Sequence, residues 1–421
     1  MRSESMVLDL GLAPEGRKKI DWAARHSPVL NAVRDKYLKD GSLQGLGVGV
    51  ALPIEAKTAY LTVVLAEAGA EVALASPGPF FVQDDVAAGL VERGVTVYAS
   101  SQNPPEASDR ELERVLDRAL DGRSAVLIDD RAGLVRLVHT TRRNLLGGVL
   151  GATEETTTGV AKYKAMAGEG ALEVPCIAAN DARCKYLFDN RYGTGQSTLT
   201  AIMQNTNLMV GGKRIVVLGY GWCGKGIARY AAGLGARVTV CEVDPVRALE
   251  AYADGFDVLP ALEAAMIGEV FITATGSRDV LARPHFERMQ DGAILANAGA
   301  VDIEIDTVDL ATVSTRAREV RRNVEEFAMP DGRRLYLIGR GMVVNLAAGD
   351  GHPVEIMDLT FSIQALCIHH LANNHGMLDP AVHLLPKEID DEVARIKLKA
   401  LGIGVDALTP KQEEFLLSWR D

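Results

Sequence analysis

Short apolar runs alternate with longer amphipathic segments along the first third of the chain. The amphipathic pattern predicts a helix over residues 20–40 that ends at the Asp40–Gly41 break, and further helices over 55–69 and 82–94. The apolar runs predict buried strands at LGVGVAL (46–52), EVALAS (71–76), VTVYAS (95–100) and AVLIDD (125–130). Strands that alternate with helices of about 10 to 15 residues indicate a parallel α/β sheet.

The same alternation starts again after a helix-like segment, STLTAIMQNTNLMVGG (197–212). It predicts a helix over 220–235 and strands within 213–219, 237–244, 269–276, 292–299 and 333–339. Beyond Gly341 the pattern becomes helical again over 357–376, and a charged helical tail follows from 388. We therefore expect two α/β units and a tail that is exposed or contacts a partner subunit.

Gly219, Gly221 and Gly224 have the G-x-G-x-x-G spacing. They follow a predicted strand and open a predicted helix, and Glu242 ends the next strand, which is the full context of a dinucleotide-binding fingerprint. The glycines allow a tight turn, backbone approach to a pyrophosphate and close helix packing. A carboxylate at Glu242 would bind the ribose hydroxyls and repel a 2′-phosphate, so the pattern favours NAD over NADP.

Composition narrows the functional class. The chain has 421 residues, 48% of them hydrophobic and 24% charged, with a formal net charge of -11, so we expect no nucleic-acid partner. Five scattered cysteines argue against a disulfide framework and a structural zinc site, and we expect no metal. Without a long apolar run we expect no membrane span and a cytoplasmic location.

Two segments carry more polar side chains than a connector needs: ATEETTTGVAKYK (152–164) and NDARCKYLFDNRYG (180–193). Asp129 and Asp130 end a predicted strand, where ligands meet parallel sheets. Taken singly, each feature has an ordinary structural explanation, such as a surface ion pair or a helix cap. It is the occurrence of all these features in one chain, in this order, that indicates a functional site.

These two segments resemble the signature stretches of the S-adenosylhomocysteine hydrolase family. GYGWCGKG (219–226), EVDP (242–245), Asp302–Ile305, VVNL (343–346) and GHP (351–353) resemble further family motifs in the same order. The resemblance runs from about residue 20 to the C-terminus. It implies an α/β fold with a Rossmann-type NAD domain (186–345), an α/β nucleoside-binding domain (1–185 and 346–385) and a small C-terminal helical tail (386–421) that serves oligomerisation. It also implies a homotetramer or homodimer.

The resemblance implies a specific chemistry. Resident NAD⁺ oxidises the 3′-hydroxyl of a nucleoside sugar, the ketone acidifies the C4′ hydrogen, and the 5′ substituent leaves before the hydride returns. By matching positions, Lys185 would take the 3′-hydroxyl proton with a lowered pKa, Asp130 and Asp189 would act at C4′, and Glu155 would hold the 2′-hydroxyl. The cofactor would be contacted by Thr156, Thr157, Thr158, Asn190, Glu242, Thr275, Asn297 and Asn345. The nucleoside would be contacted by Thr58, Gln83, His352 and Met357.

The chain departs from the family pattern where the 5′ group and the base are handled. Pro53 stands where the family carries an acid/base histidine, and Ala300 stands at a second histidine position. Glu55 and Lys57 replace a threonine and a glutamate that touch adenine in the family. Further differences are Gly78 in place of an asparagine, Asp85 in place of a histidine and Thr194 in place of a cysteine.

Three hypotheses follow. The first is a dehydratase or lyase that eliminates water from the 5′ side of a purine nucleoside, as in nucleoside-antibiotic pathways, with Glu55 or Asp85 as the acid. The second is hydrolysis of S-adenosylhomocysteine, or of its hypoxanthine counterpart S-inosylhomocysteine. The third is an NAD-binding regulatory pseudoenzyme, against which the retained Lys185, Asp189, Asp130 and Glu155 argue.

Overall fold

The structure, a computed structural model, describes residues 5–299 and 303–419. Its strands form two sheets. The strands of the first sheet are β1 Gly47–Ala51, β2 Glu71–Ala75, β3 Thr96–Tyr98, β4 Ala125–Asp129, β5 Val149–Glu154, β6 Cys176–Ile177 and, from the C-terminal part, β15 Val382–His383. Those of the second are β7 Arg214–Leu218, β8 Arg237–Cys241, β9 Asp257–Val258, β10 Val270–Thr273, β11 Ile294–Asn297, β12 Arg316–Arg321, β13 Val324–Ala328 and β14 Arg334–Ile338.

Helices cover the sheets. Before the second sheet they are α1 Ala13–Arg25, α2 Pro28–Tyr37, α3 Ala56–Glu67, α4 Asp84–Glu92, α5 Ser108–Ala119, α6 Gly133–His139, α7 Thr157–Gly168, α8 Arg183–Lys185, a π-helix Tyr186–Gly193 and α9 Thr194–Thr206. Those that follow are α10 Trp222–Gly233, α11 Pro245–Ala253, α12 Ala261–Ala264, α13 Arg283–Phe286, α14 Thr307–Val313, α15 Val344–Ala347, α16 Val354–Asn373, α17 Lys387–Ala400 and α18 Pro410–Leu417. Short 3₁₀ turns lie at Leu10–Leu12, Pro79–Phe81, Pro105–Ala107, Arg143–Gly148, Ala179–Asp181 and Gly339–Gly341.

The first sheet is parallel and has the order β15-β6-β5-β4-β1-β2-β3. Its central strands β1 and β4 are buried along their whole length, as expected where helices cover both faces. The chain order reverses between β1 and β4, and the carboxyl ends of β4 and β5 lie side by side, with Asp129 paired to Glu154. A ligand site is expected at such an edge.

The second sheet has the order β12-β13-β14-β11-β10-β7-β8-β9. Strands β7 to β11 are parallel, and β14 joins β11 in the same sense. The hairpin of β12 and β13 extends it in antiparallel fashion. The predicted α/β class, with a Rossmann-like unit as its second part, is confirmed.

The structure differs from the sequence predictions in three details. The helix expected over 20–40 is divided into α1 and α2, because Pro28 begins a new helix after the turn at His26–Ser27. Strands β5 and β6 and the hairpin of β12 and β13 were not predicted. The tail is not wholly exposed, since α17 packs on the first unit through buried Val393 and Asp390. Residues 401–419 are exposed.

Helices α16 and α17 return the chain to the first unit after the second sheet. Asp358 of α16 accepts hydrogen bonds from the backbone N–H groups of Val29 and Leu30 at the start of α2 (3.1 and 2.9 Å). Asp390 of α17 accepts from those of Arg183 and Cys184 (2.7 and 2.9 Å), at the start of α8. Asp358 thus joins α16 to the start of α2, and Asp390 joins α17 to the segment that carries Lys185. No helix within the described ranges is long and apolar enough to cross a bilayer.

Candidate active site at the junction of the two sheets

The site centres on the buried ammonium of Lys185. Its Nζ lies 3.0 Å from Asp189 Oδ1, 3.4 Å from Glu155 Oε1 and 2.8 Å from Asn190 Oδ1. Asn180 Oδ1 lies 3.4 Å away and also accepts from Asn190 Nδ2. Lys185 is only 4% exposed, so its charge is paired within the protein rather than by solvent. The structure thus brings together residues from both polar segments.

A stretch of π-helix explains how Asp189 and Asn190 both reach Lys185. The π-helix begins directly after Lys185 at Tyr186 and ends at Gly193. Its wider turn alters the spacing of side chains along one face, and such turns occur often at functional sites. Asp189 Oδ2 also accepts a hydrogen bond from Thr360 of α16 (2.9 Å), which fixes the carboxylate from its far side.

The charges in this cluster set its proton affinities. Burial acts to lower the pKa of Lys185, but the carboxylates of Asp189 and Glu155 outweigh it and hold that pKa above its usual range. The lowered pKa expected for Lys185 depends on a positive charge near NAD⁺, so it stays a prediction for the complex with the cofactor. Burial acts to raise the pKa of Asp189, but Lys185 and His352 hold it well below its usual range.

Glu155 behaves in the opposite way. Burial raises its pKa to about 7, with Lys185 opposing and Asp189 adding to the shift. Its Oε2 accepts a hydrogen bond from Gln364 of α16 (2.6 Å). A carboxylate that titrates near neutrality inside a cluster of polar groups is typical of catalytic sites.

One of the predicted nucleoside contacts, His352, lies at the same cluster. His352 Nδ1 is 3.4 Å from Asp189 Oδ1, and its Nε2 is 3.2 Å from Thr194 Oγ1. Met357 is buried near the start of α16. The histidine is therefore shared between the acidic cluster and the residue that replaces the family cysteine.

Asp130 stands at the carboxyl end of β4 with one oxygen unsatisfied. Its Oδ1 is buried and has no hydrogen-bond partner, while Oδ2 lies 3.3 Å from Nη2 of Arg131. A buried acceptor without a partner costs about 1 to 3 kcal/mol, so such an atom marks a place where a ligand group is expected. The charge of Asp130 also raises the pKa of Glu155, as one of the smaller contributions.

The dinucleotide fingerprint has the backbone shape that a cofactor needs. A Cβ on Gly224 would lie 1.9 Å from the carbonyl oxygen of Gly219, and Gly219 itself has φ +100°. A Cβ on Gly221 would meet only Arg247 Nη1, at 3.8 Å, so the fold itself leaves room there. Glu242 accepts from the backbone N–H of Tyr220 at 2.7 Å and so supports the glycine turn. These features fit a dinucleotide pyrophosphate at the start of α10.

The other predicted cofactor contacts belong to both units. Thr156 caps α7, Thr157 Oγ1 accepts from Asn180 Nδ2 (3.1 Å), and Thr158 approaches Gly276 of the second unit. The remaining three belong to the second unit, where Thr275 binds Glu304, Asn297 donates to the Gly341 carbonyl, and Asn345 donates to Ser197 Oγ. Asn345 Oδ1 is buried without a partner, and the carboxamide of a nicotinamide carries a donor of the kind it lacks.

The predicted base and 5′ residues are less well placed for acid chemistry. Glu55 caps α3, accepting from the N–H groups of Lys57 and Thr58, and its Oε2 lies 2.5 Å from Lys57 Nζ. That ammonium also donates to the Asp350 carbonyl at 2.6 Å. Glu55 and Gln83 line a cavity of about 30 Å³, room for about one water molecule, so a purine requires these side chains to move or the cleft to open.

Two further predicted positions do not join the cluster. Asp85 pairs with Lys19 of α1 at 2.8 Å, and Gln83 Oε1 accepts from the same ammonium at 3.0 Å. This ion pair does not support the proposed role of Asp85 as an acid. Ala300 and Asp302 lie outside the described residues. Within those residues, no group of three or more histidine, cysteine or acidic side chains is arranged to hold a metal ion.

Several residues at the site were not predicted. Thr360 and Gln364 reach the cluster from α16, and Glu154 accepts from the backbone N–H groups of Arg131 and Ala132 (both 3.0 Å). Thr360, Ser362 and Gln364 are polar residues within the buried part of α16, between apolar neighbours, and this pattern could have indicated them. Glu154 belongs to the polar segment 152–164, but its backbone partners at Arg131 and Ala132 could not be read from the sequence.

Comparison with known proteins agrees with this geometry. Residues 4–148 match the family described as S-adenosyl-L-homocysteine hydrolase, and residues 190–351 match its NAD binding domain. The chain is 50% identical over 418 residues to an adenosylhomocysteinase of Pyrococcus abyssi, covering 99% of this chain and 98% of the relative. It is 49% identical over 419 residues to an S-inosyl-L-homocysteine hydrolase of Methanopyrus kandleri, with coverages of 99% and 98%. NAD is thereby confirmed as the cofactor. The chain belongs to the S-adenosyl-L-homocysteine hydrolase family.

Proposed function

We propose that this protein is an NAD-dependent hydrolase that cleaves the 5′ thioether of an S-nucleosyl-L-homocysteine. The observation that carries the proposal is the buried ammonium of Lys185 between Glu155 and Asp189, where both polar segments meet. The relatives at about half identity over almost the whole chain are named adenosylhomocysteinase or S-inosyl-L-homocysteine hydrolase. Their names support the hydrolytic hypothesis better than elimination of water.

Each residue of the cluster has a distinct task in this proposal. Bound NAD⁺ supplies the acceptor for the hydride of the 3′ carbon. Lys185 is charged before the reaction and donates a hydrogen bond to the 3′ oxygen. The positive charge of the oxidised nicotinamide ring would lower the pKa of Lys185. This change is needed before the lysine amine accepts the proton of the 3′-hydroxyl. Glu155, once ionised, accepts from the 2′-hydroxyl, and Asp130 offers its unpaired Oδ1 to the proton at C4′.

The base is proposed to be a 6-oxopurine such as hypoxanthine. Lys57 occupies a position at which the family reads the base with a glutamate, and an ammonium has only donors. A 6-oxo group accepts from such a donor, whereas a 6-amino group does not. The S-inosyl-L-homocysteine hydrolases among the relatives act on the corresponding substrate by name.

Elimination of water is a second candidate for the reaction because of the residue at position 53. Pro53 follows β1 at the edge where the 5′ group is expected, and a proline carries no proton. An enzyme that no longer protonates a thiolate at that place has changed its leaving group or found another acid. Glu55 is a weak substitute, since both of its oxygens already accept hydrogen bonds.

One experiment separates these candidates. The purified holoenzyme is incubated in parallel with S-inosyl-homocysteine, with S-adenosyl-homocysteine and with nucleosides that carry a free 5′-hydroxyl. A thiol reagent reports homocysteine, and mass spectrometry reports dehydrated nucleosides. Thiol release that is fastest from the inosyl compound is the expected result. Dehydration without thiol release contradicts the hydrolase and supports the second candidate.

A further inference from the structure

Two consecutive residues after Asp130 have a backbone conformation that side chains avoid. Arg131 has φ +58° and Ala132 has φ +60°, both in the left-handed region. Glycine adopts this region freely, whereas other residues meet a steric penalty there. Strain of this kind persists where the surroundings enforce it, and it clusters at functional sites.

The surroundings of Arg131 enforce its conformation from two sides. Glu154, fully buried, accepts from the backbone N–H groups of Arg131 and Ala132, both at 3.0 Å. Lys162 donates to the carbonyl oxygen of Arg131 at 3.0 Å. The turn is thus held by contacts that need only its backbone, and a glycine would satisfy them without strain. The arginine side chain therefore calls for a separate explanation.

That side chain lies over the cleft end of β4. Its Nη2 is 3.3 Å from Asp130 Oδ2, and its guanidinium carbon is 5.4 Å from the centre of the Phe81 ring. Phe81 lines the small cavity together with Glu55 and Asp350. Among the contacts of the described residues, the guanidinium makes one hydrogen bond, to Asp130, although it carries five donors. The aromatic ring fixes its position and leaves donors for a ligand.

We propose that Arg131 binds the α-carboxylate of the amino-acid tail on the 5′ sulfur. This inference rests on the proposed function, since it requires a substrate whose leaving group carries an anion. The planar fork of a guanidinium matches a carboxylate with two parallel hydrogen bonds. Asp130, at which the sugar is expected, adjoins Arg131 directly, so the 5′ substituent leads toward the arginine. Arg131 is thus a specificity-determining residue for the leaving group.

The test compares two single glycine substitutions at the strained turn. Arg131→Gly removes the charge and the strain, whereas Ala132→Gly, the matched control, removes strain at the next residue and no charge. Calorimetry on the holoenzyme measures the dissociation constants of S-inosyl-homocysteine and of 5′-methylthio-inosine, which lacks the amino-acid tail. Inosine 5′-phosphate is a third ligand.

Arg131→Gly is expected to weaken binding of the tailed ligand at least tenfold relative to the methylthio ligand, with a melting temperature that is unchanged or higher. Ala132→Gly is expected to leave that ratio unchanged, and Arg131→Lys to restore it in part. An unchanged ratio in Arg131→Gly overturns the inference, and so does a tenfold loss for the phosphate alone. If the wild-type protein binds S-inosyl-homocysteine but releases no thiol, the proposed function is overturned. The ratio of the two dissociation constants still tests the role of Arg131 in that case. Failure of all three ligands to bind overturns both.

Discussion

At the scale of single residues, the account depends on how a few buried charges share protons. Lys185 is surrounded by two carboxylates whose pKa values move in opposite directions, Asp189 downward and Glu155 upward. Groups whose environments separate their pKa values in this way are suited to different roles in one reaction. Asp189 stays ionised and pairs with the ammonium, whereas Glu155 changes its charge near neutrality.

The rise in the pKa of Glu155 predicts a pH dependence with a definite sign. The ionised carboxylate accepts from the 2′-hydroxyl, so kcat/KM is expected to rise as the pH increases through about 7. Glu155→Gln is expected to remove this limb, and Glu169→Gln on the exposed end of α7 to leave it in place. A limb that persists in Glu155→Gln would assign the titration to another group.

The same shift also affects stability. The usual pKa of a glutamate is 4.5, so between about 4.5 and about 7 the folded protein holds a proton that the unfolded chain has released. This group therefore makes the free energy of unfolding fall as the pH rises through that window. Glu155→Gln is expected to reduce the slope of that decrease in urea-unfolding measurements on the protein without cofactor.

The second and third fingerprint glycines predict different outcomes. A Cβ at Gly221 meets no close atom within the protein, so Gly221→Ala is expected to leave the melting temperature of the cofactor-free protein unchanged and to weaken NAD binding at least tenfold. A Cβ at Gly224 collides with the Gly219 carbonyl, so Gly224→Ala is expected to lower the melting temperature and to weaken NAD binding. Gly233→Ala, at the end of the same helix and without a neighbour within 4 Å, is the control. Unimpaired NAD binding by Gly221→Ala would contradict the placement of the pyrophosphate.

At the scale of elements, the hydrophobic pattern predicted the strands that are buried along all or most of their length and flanked by helices. Strands β1, β2, β4, β7 and β8 and helices α3 and α4 lie where the apolar runs predict them, because their burial requires continuous apolar sequence. Strand β5 was missed, since it begins after a glycine pair and ends in polar residues that serve the site. The hairpin strand β12 is exposed along its whole length and so carries no apolar signal.

The site was predictable only in part for a related reason. The predicted cluster of Lys185, Asp189, Asn190 and Glu155 is present, although its roles stay predictions. The contacts of Asp390 could not be predicted because they are to backbone N–H groups, which every residue type except proline provides. The raised pKa of Lys185 was missed because it depends on two distances that only the folded chain defines.

Asp390 links a C-terminal element to the site and can be tested. It accepts from two backbone N–H groups directly before Lys185, so Asp390→Ala leaves both unsatisfied and is expected to cost about 2 to 6 kcal/mol of unfolding free energy, at about 1 to 3 for each. It should also lower kcat, because the start of α8 loosens. Asp391→Ala, whose side chain pairs with Lys387 on the surface, is the control and should change neither. Equal effects of the two would show that Asp390 has no special role.

At the scale of the whole molecule, the two sheets form one catalytic unit because the chain crosses between them twice. The first crossing carries Lys185, Asp189 and the π-helix, and the second carries Asn345 and His352. His352 pairs with Asp189, and Lys57 donates to Asp350, so the second crossing contacts both the reactive cluster and the proposed base pocket.

This arrangement also explains why a cofactor in the second unit can act on a sugar held by the first. Thr158 of the first unit lies beside Gly276 of the second. The predicted boundaries at 185/186 and 345/346 fall at these crossings and stay a proposal, as does assembly into a homodimer or homotetramer.

The most direct measurement of the central claim is the absorbance of reduced nicotinamide in the holoenzyme after mixing with substrate. The wild-type protein should convert a fraction of its bound NAD⁺ on mixing with S-inosyl-homocysteine or inosine, without net consumption of cofactor over many turnovers. Lys185→Ala should retain the cofactor but reduce it at least a thousandfold more slowly. Lys164→Ala, on the surface, should reduce it at the wild-type rate. A wild-type protein that never reduces its bound cofactor, or a Lys185→Ala variant that does so at the normal rate, would contradict the account.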